Sequence, residues 1–415
     1  MSSFTRSRRI GRASEEGVKK RAFVILFLSI FINLVGFGII IPLLPFYGQN
    51  LGASPWTVGW LFACYSIAQL IANPWMGMLS DRFGRRPILI ACLAGTALSF
   101  VMLALAKSLL VLFAARIVDG LSGGNIPTTR AYISDITEEH ERAQAMGYLG
   151  VAFGLGFIFG PALGGVLVQF DLAAPAWAAA CLAAGAMVLA WYWLPETETP
   201  DLETHANSWK ALGLLPKRRP LMVLLLLDLL LWSCMSLYQT TLPLFGERRF
   251  SWGGSEIGYL LALLGLVGAI VQGLSAGWAV NRFGLKNTLL LGIVLTAAGL
   301  GAAGMTSSAP PFIAMLVLAI IGSSFIMPSL STLLSCAARP GEQGRIQGLA
   351  GSVESLARTI GPIWGNGVLG AFGGGRAYLS AATVLLLCWA LCHWGLPDKQ
   401  EEGPGSPESL SSLAV

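Results

Sequence analysis

Charged residues are scarce in this chain. Asp, Glu, Lys and Arg together make up 12% of the 415 residues, roughly half of what soluble globular proteins carry. Hydrophobic residues reach 54%, more than a soluble core can bury without leaving apolar patches exposed. A bilayer accommodates this composition, so the sequence predicts an all-α, polytopic integral membrane protein and argues against a soluble one.

Clusters of metal ligands and catalytic groups are also missing. The seven cysteines are scattered through apolar segments without metal-ligand spacing, and the three histidines form no cluster. Neither a nucleotide-binding loop nor a nucleophile triad is found. The sequence therefore predicts no enzyme activity, no metal, no cofactor and no nucleic-acid partner.

Long apolar runs are abundant. A transmembrane helix needs about 20 largely apolar residues, and twelve stretches of this chain meet that need, which we number spans 1 to 12. They are 22–45, 56–80, 87–106, 109–134, 143–169, 173–195, 221–246, 255–281, 287–306, 311–337, 346–370 and 376–397. The first run is too long for a signal peptide, so none is expected.

Basic residues predict the orientation of these spans. Of the 27 Lys and Arg residues, twenty lie before span 1, in loops that follow even-numbered spans or in the tail, and only four lie in the other loops. By the positive-inside rule both termini are cytoplasmic. We expect a multi-pass protein of the bacterial plasma (inner) membrane.

The chain consists of two related halves. GMLSDRFGRR at 77–86 matches GWAVNRFGLK at 277–286, and GPALGGVL at 160–167 matches GPIWGNGV at 361–368. Two matches at nearly one offset indicate duplication of a six-helix unit, the plan of two-half transporters. The predicted divisions are a basic N-terminus (1–21), two six-helix halves (22–195 and 221–397), a cytoplasmic linker (196–220) and a cytoplasmic tail (398–415).

The stretch at 77–86 concentrates charge between two apolar spans. Arg82, Arg85 and Arg86 suit the headgroup zone, where anionic lipids attract them. Lipid anchoring does not account for Asp81, which the same lipids would repel, or for Asn281 at the matching position of the second half.

Ionisable residues inside the spans are costly in a bilayer and are therefore functional candidates. Arg116 and Asp119 in span 4 are three residues apart, and Glu354 and Arg358 in span 11 are four apart, so each pair shares a helix face. Each is either a structural ion pair or part of a proton site. Asp228 in span 7 has no partner nearby in sequence.

A polar stripe is predicted along span 4. Asp119 and Arg130 are eleven residues apart, about three turns of a continuous helix, so Asp119, Asn125 and Arg130 would line a cavity. Arg130 and Arg358 would suit an anionic substrate, because guanidinium groups bind carboxylate and phosphate. The candidates for the substrate cavity are Asn33, Asn125, Arg130, Gln239 and Arg358, and those for proton coupling are Arg116, Asp119, Asp228 and Glu354.

Four motifs resemble the major facilitator superfamily: residues 77–86, RIVDGLSGG at 116–124, GLGFIFGPALGG at 154–165 and LPET at 194–197. AYISDITEEHERAQAMGYLG at 131–150 and FGIIIPLLP at 37–45 are most similar to its drug:proton antiporter branch, which includes the tetracycline exporters. The likeness covers about 22–397. It implies twelve transmembrane helices in two pseudo-symmetric six-helix halves.

The resemblance also implies a function. The chain is expected to be a secondary active transporter, monomeric in the lipid bilayer, that exchanges protons for small lipophilic or amphipathic compounds and exports them by alternating access. The alternative is a proton-coupled or passive transporter of an anionic metabolite or a sugar. In either case the proton gradient or the substrate gradient, and no cofactor, supplies the energy.

The same resemblance assigns two groups of residues. Arg85 would pair with Asp135 while Asp81 faces the start of span 11, which together would latch the outward-facing state. The full switch would comprise Gly77, Asp81, Arg82, Gly84, Arg85, Arg86 and Asp135. The antiporter motif would comprise Gly156, Gly160, Pro161, Gly164 and Gly165.

The chain departs from tetracycline exporters at their acidic residues. It has Asn33 where those proteins carry an acid in span 1, and Ser99 where they tend to carry one in span 3. In the family, the arginine that matches Arg116 is implicated in proton transfer, and the residue three positions on is often Gln rather than an acid. We therefore expect the proton site at Asp119, Asp228 or Glu354.

Overall fold

The structure is a computed structural model that describes residues 23–123, 125–137, 139–196, 219–337 and 343–396. All regular secondary structure in these ranges is helical. The helices are α1 (Phe23–Ile40), α2 (Leu44–Asn50), α3 (Pro55–Phe83), α4 (Arg85–Ala104), α5 (Leu109–Leu121), α6 (Asn125–Ile136), α7 (Glu139–Leu167), α8 (Ala174–Trp193), α9 (Arg219–Phe250), α10 (Gly254–Phe283), α11 (Leu285–Met305), α12 (Ala309–Cys336), α13 (Gln343–Phe372) and α14 (Arg376–Gly395).

Two of the predicted spans are interrupted. Span 1 divides at residues 41–43 into α1 and the short α2, which has a proline in its first turn. Span 4 divides into α5 and α6 within SGGNIP at 122–127, where two glycines and a proline weaken a helix. The expectation that Asp119 and Arg130 share one face of a continuous helix is therefore wrong.

Nine helices of the described ranges are long and apolar enough to cross a bilayer: α1, α4, α7, α8, α9, α10, α11, α12 and α14. α3 and α13 are 29 and 30 residues long, but they carry more polar and charged residues. α5 and α6, with 13 and 12 residues, would cross only in combination. The protein is thus multi-pass, while the count of twelve spans stays a prediction.

The helices pack as two bundles, α1–α8 and α9–α14, which we call the first and second halves. α4 packs on α5 and α8 in the first, and α11 packs on α12 and α14 in the second. The matching turns after α3 and α10 have the same conformation, with φ of 98° at Gly84 and 80° at Gly284. Only glycine adopts this conformation without strain, which explains why both copies keep it.

The two halves meet through α3 against α13 and α7 against α10. A Cβ added at Gly59 would lie 2.8 Å from the Pro362 carbonyl oxygen, and one at Gly258 would lie 2.6 Å from the Pro161 carbonyl oxygen. Near the same end, Gln169 Nε2 donates a hydrogen bond of 2.9 Å to Tyr259 Oη across the seam. We call this end, which also holds Trp56, the Trp56 face.

The opposite ends of the same four helices are not in contact. These ends adjoin the turns at Gly84 and Gly284, and we call them the Gly84 face. A Cβ added here would meet nothing within 4 Å at Gly77, Gly150, Gly154, Gly273, Gly277, Gly348 or Gly351. The halves therefore touch at the Trp56 face and diverge toward the Gly84 face, leaving a gap between them.

This asymmetry predicts opposite effects for two substitutions in α10. Gly258→Ala places a methyl group against the backbone of α7, and overpacking of this kind costs about 1–3 kcal/mol. Gly273→Ala meets nothing within 4 Å, and it gains helix propensity of up to about 1 kcal/mol. We expect a lower midpoint of thermal unfolding in detergent for Gly258→Ala and an equal or higher one for Gly273→Ala. Equal midpoints for the two variants would contradict the close contact.

Candidate functional site

The first half contributes a compact group of polar residues from α3 and α5. Arg116, only 2% exposed, places Nη1 at 2.8 Å from Asp119 Oδ2. Its guanidinium carbon lies 4.4 Å from the centre of the Tyr65 ring, and Gln69 Nε2 donates to Tyr65 Oη at 3.2 Å. Ser99, from α4, lies close to Asp119 and donates its own hydrogen bond to the Thr96 carbonyl at 2.7 Å. The buried charges of this group therefore compensate each other.

The second half contributes three ionisable residues and a tryptophan from α9 and α13. Arg358 Nη2 lies 3.7 Å from Glu354 Oε2, and its guanidinium carbon lies 5.6 Å from the centre of the Trp232 ring. Asp228 is 3% exposed, and its Oδ2 has no hydrogen-bond partner among the described residues. Both Glu354 and Arg358 are close enough to interact electrostatically with it.

The two groups face each other across the gap. Arg358 of the second half interacts electrostatically with Tyr65 of the first. Arg130, an exposed residue of α6, interacts in the same way with Glu354 of α13. The structure thus brings together Arg116, Asp119, Asp228, Glu354 and Arg358, and it places Arg130 at the edge of the same site.

The other predicted cavity residues, Asn33, Gln239 and Asn125, are not part of this charged group as the structure describes it. Asn33 of α1 and Gln239 of α9 are both half-buried. Gln239 is eleven residues beyond Asp228, toward the Trp56 face. The side chain of Asn125 lies outside the described residues.

The glycines of the antiporter motif form two contact surfaces on α7. Gly156, Gly160 and Gly164 lie against α1, and an added Cβ at these positions would come within 2.5–2.9 Å of α1 atoms. Gly165 and the Pro161 carbonyl face Gly258 on α10 of the other half, while the Pro161 ring lies against Gly38 of α1. The motif therefore packs α7 between its own half and the opposite half.

Pro161 leaves one backbone carbonyl of α7 without its helical hydrogen bond, next to the contact with α10. Pro161 cannot donate the helical hydrogen bond to the Phe157 carbonyl, which is four residues earlier. That oxygen lies against Gly265 of α10, where an added Cβ would be 3.1 Å away. The small residue Gly265 on α10 therefore lets this free carbonyl of α7 approach closely.

The switch residues are joined within the first half. Arg85 Nε donates to Asp135 Oδ2 at 3.1 Å, and its Nη1 contacts both Asp81 Oδ1 and Ser80 Oγ. The expected contact between Arg85 and Asp135 is present. Among the described residues no hydrogen bond or ion pair joins Asp81 to α13. Arg82 is exposed and lies next to Phe83.

The start of α4 is held by the end of α8. Glu196 Oε1 accepts from the backbone N–H of Arg85 at 2.8 Å and of Arg86 at 3.3 Å. A carboxylate at a helix N-terminus satisfies free N–H groups and complements the helix dipole. The Arg86 guanidinium donates to the Trp191 carbonyl, and Tyr132 Oη donates to the Pro195 carbonyl. These contacts attach the switch turn to the segment that leads into the linker.

The second half repeats one of these contacts. Lys286, which matches Arg86, donates from Nζ to the carbonyls of His393 at 3.0 Å and Leu396 at 2.6 Å at the end of α14. Basic groups are favourable at a helix C-terminus, where free carbonyls accumulate. In both halves, a basic residue two positions after the turn glycine thus joins the helix that follows this turn to the last helix of the half.

Sequence reasoning missed three features of the site. Glu196 lies in LPET, a motif that marks the end of span 6 without indicating what its acid contacts. Tyr65 and Gln69 are four residues apart on α3, a spacing that signals a shared face but does not identify Arg116 as the partner. Gly258 belongs to neither repeat match, so only its contact with α7 reveals its importance.

Comparison with known proteins identifies the family. The sequence profile of the Major Facilitator Superfamily matches residues 26–362 and 247–413, which together span most of the chain. The chain belongs to the Major Facilitator Superfamily.

Three relatives of this chain are resistance proteins by name. The chain is 31% identical to the class B tetracycline resistance protein of Escherichia coli over 343 residues, covering 80% of this chain and 84% of the relative. It is 32% identical to the class E protein of Escherichia coli, with 83% and 86% covered. It is 28% identical to multidrug resistance protein 2 of Bacillus subtilis, with 89% and 94% covered.

Solved structures of the superfamily share the fold. The human organic anion transporter MFSD10 (TETRAN) superposes with a TM-score of 0.67 at 24% identity, covering 90% of this chain and 99% of that one. A bacterial homologue of the human lysosomal transporter Spinster gives a TM-score of 0.76 at 15% identity, with 91% and 97% covered. The nucleoside transporter NupG gives 0.73 at 15%, with 92% and 100% covered. All of these named relatives and neighbours are transporters or resistance proteins rather than enzymes.

The contact of Glu196 with α4 predicts that this acid stabilises the first turn of that helix. Glu196→Ala removes the acceptor of two backbone N–H groups, and loss of such a cap costs about 0.5–2 kcal/mol. We expect faster amide hydrogen exchange in the first turn of α4 and a lower unfolding midpoint. The control is Glu256→Ala, which removes the acceptor of the Gly253 N–H at the Trp56 face. It should destabilise α10 while exchange in α4 stays as in the wild type.

Proposed function

We propose that this transporter exports small lipophilic or amphipathic compounds in exchange for protons, by alternating access. The observation that carries the proposal is the group of buried ionisable residues enclosed between two halves that meet at the Trp56 face. Ionisable groups inside a membrane protein mark proton or substrate pathways. The names of the relatives, tetracycline and multidrug resistance proteins, support export of such compounds.

Alternating access would follow from the shape of the gap. The charge distribution of the sequence places the Gly84 face on the cytoplasmic side, so the gap would open to the cytoplasm of a cell whose plasma membrane holds the protein. The other state would form when α3 and α7 separate from α13 and α10 at the Trp56 face and approach them at the Gly84 face. Movements of this kind are rigid-body rotations about an interface.

The switch turn would favour one of these two states. In the state described, Arg85 joins Asp81 and Asp135 within the first half. Closure of the Gly84 face would bring Asp81 toward the N-terminal end of α13, whose dipole favours an anion. We infer that Asp81 exchanges part of its interaction with Arg85 for this helix end, which stabilises the outward-facing state.

The surroundings of the charges suit lipophilic substrates. The ring of Tyr65 lies against Arg116 and that of Trp232 lies against Arg358, so aromatic faces stand beside both guanidinium groups. We expect the protein to act as a monomer within the bilayer, with the proton gradient as its energy source and without a cofactor.

Transport of an anionic metabolite or a sugar is the alternative function. Arg130 and Arg358 favour it, because guanidinium groups bind carboxylates. However, Arg358 already pairs with Glu354, and Asp228 places a second acid beside that pair. The second half of the site therefore has no surplus positive charge, which weakens this alternative.

Proteoliposomes that contain a pH-sensitive dye test the proposed function. Ethidium and tetracycline are added as probes across a membrane with an imposed pH difference, beside a labelled carboxylate and a labelled sugar. We expect ethidium or tetracycline to evoke proton movement that empty liposomes do not show. Equilibration of the carboxylate or the sugar without proton movement by either drug would instead establish the alternative.

A cross-link at the Trp56 face tests alternating access. Gln169 and Tyr259 touch across the seam, so cysteines in their places, in a background without the native cysteines, can be joined by a short reagent that forms a disulfide bond with each cysteine. We expect the cross-link to abolish transport and a reductant to restore it. The two single-cysteine variants, treated alike, serve as controls. Transport that continues at the wild-type rate with the cross-link in place would contradict separation at this face.

A further inference from the structure

Among the acids of the site, Asp228 is compensated least. Asp119 forms an ion pair of 2.8 Å with Arg116, and Glu354 forms one of 3.7 Å with Arg358. No ion pair among the described residues includes Asp228, although it is 3% exposed and its Oδ2 lacks a hydrogen-bond partner. An isolated carboxylate in such a place is unfavourable, and a bound proton removes the charge.

The helices around Asp228 provide one positive charge for two acids. α13 presents Glu354 and Arg358, the two charged groups that act on Asp228. α14 also packs on α9, but there it presents Cys388 beside Cys234, a turn and a half beyond Asp228. α12 has no charged residue along its length. When both acids are ionised, the cluster carries one uncompensated negative charge.

Access to the gap differs between the two acids. The side chains of Glu354 and Arg358 are 32% and 36% exposed, so water in the gap reaches them. Asp228 is 3% exposed and therefore enclosed. A proton on Asp228 would thus reach water in the gap by way of Glu354, the more exposed of the two acids.

The cluster is also sensitive to the relative position of the halves. Arg130 belongs to the first half and interacts electrostatically with Glu354 of the second. Closure or opening of the gap changes the separation of the two residues. A positive charge that approaches Glu354 favours its ionised form and so competes with the proton.

We propose that Asp228 and Glu354, which lie around the same Arg358, share one exchangeable proton. Asp228 holds this proton in the state that is open at the Gly84 face. Asp119, in contrast, is a structural partner of Arg116. This assignment rests on the proposed proton coupling. On release, the O–H bond of the acid breaks, the proton passes to water in the gap, and the electron pair stays on the carboxylate. Arg358 then compensates whichever acid is ionised.

Two measurements on purified, reconstituted protein test the assignment. The first is the infrared difference spectrum between acidic and alkaline samples, which detects the C=O stretch of a protonated carboxyl group. We expect the wild type to show a band that is absent from Asp228→Asn and present in Asp119→Asn. This readout does not depend on any transported compound. A band lost in Asp119→Asn and kept in Asp228→Asn would overturn the proposal.

The second measurement separates proton coupling from transport itself, with ethidium as the probe. For one exchanged proton, a pH difference of about one unit corresponds to about tenfold accumulation. We expect Asp228→Asn to lose this accumulation while ethidium still exchanges between equal concentrations on the two sides. Asp228→Glu should restore accumulation. Asp119→Asn, which leaves Arg116 without its acid, should lower accumulation and exchange in the same proportion.

The two measurements distinguish failure of the assignment from failure of the proposed function. If the wild type accumulates ethidium and Asp228→Asn does so equally, the assignment is wrong and proton coupling stands. If the wild type moves no protons with any probe but the infrared band is still lost in Asp228→Asn, the buried proton is established and the antiport is overturned. Thermal unfolding midpoints of the variants verify that each has folded.

Discussion

Ionisable side chains inside an apolar helix bundle are stable only where a counter-charge, a hydrogen bond or a bound proton compensates them. This constraint shapes the centre of the molecule. Arg116 meets it with Asp119 on its own helix and with the ring of Tyr65 on a neighbouring one. Glu354 and Arg358 meet it as a pair on α13, which leaves Asp228 dependent on a proton or on movement of that pair. The charges of the first half are thus compensated by each other, whereas compensation in the second half depends on the protonation of its two acids.

Movement of the halves depends on how closely their backbones approach. At the Trp56 face, Gly59 and Gly258 bring helices into contact with the backbone of the opposite half. The prolines at 161 and 362 occupy matching positions in the two halves, so the duplicated unit supplies both sides of this contact.

Much of the fold and part of the site could be predicted from sequence. Apolar length and the repeat predicted the long helices, and spacing predicted the pairs Arg116–Asp119 and Glu354–Arg358, because partners three or four residues apart meet on any helix. Contacts between distant helices could not be predicted in this way. Nothing in the spacing of Tyr65, Trp232 or Glu196 reveals which helix lies opposite. The expected unbroken helix through Asp119 and Arg130 was wrong because span 4 divides into α5 and α6, although both residues belong to the same site.

The two turn regions show which contacts serve the fold and which serve the switch. The turn glycines at 84 and 284 share one backbone conformation, and Arg86 and Lys286 both cap the last helix of their half. These duplicated features stabilise each half. Asp81 and Arg85, in contrast, correspond to Asn281 and Leu285, so the second half has neither member of the ion pair. A contact that only stabilised one half would be useful in both copies. Its presence in the first half alone agrees with the proposed switch, in which one acid approaches one helix end when the halves close.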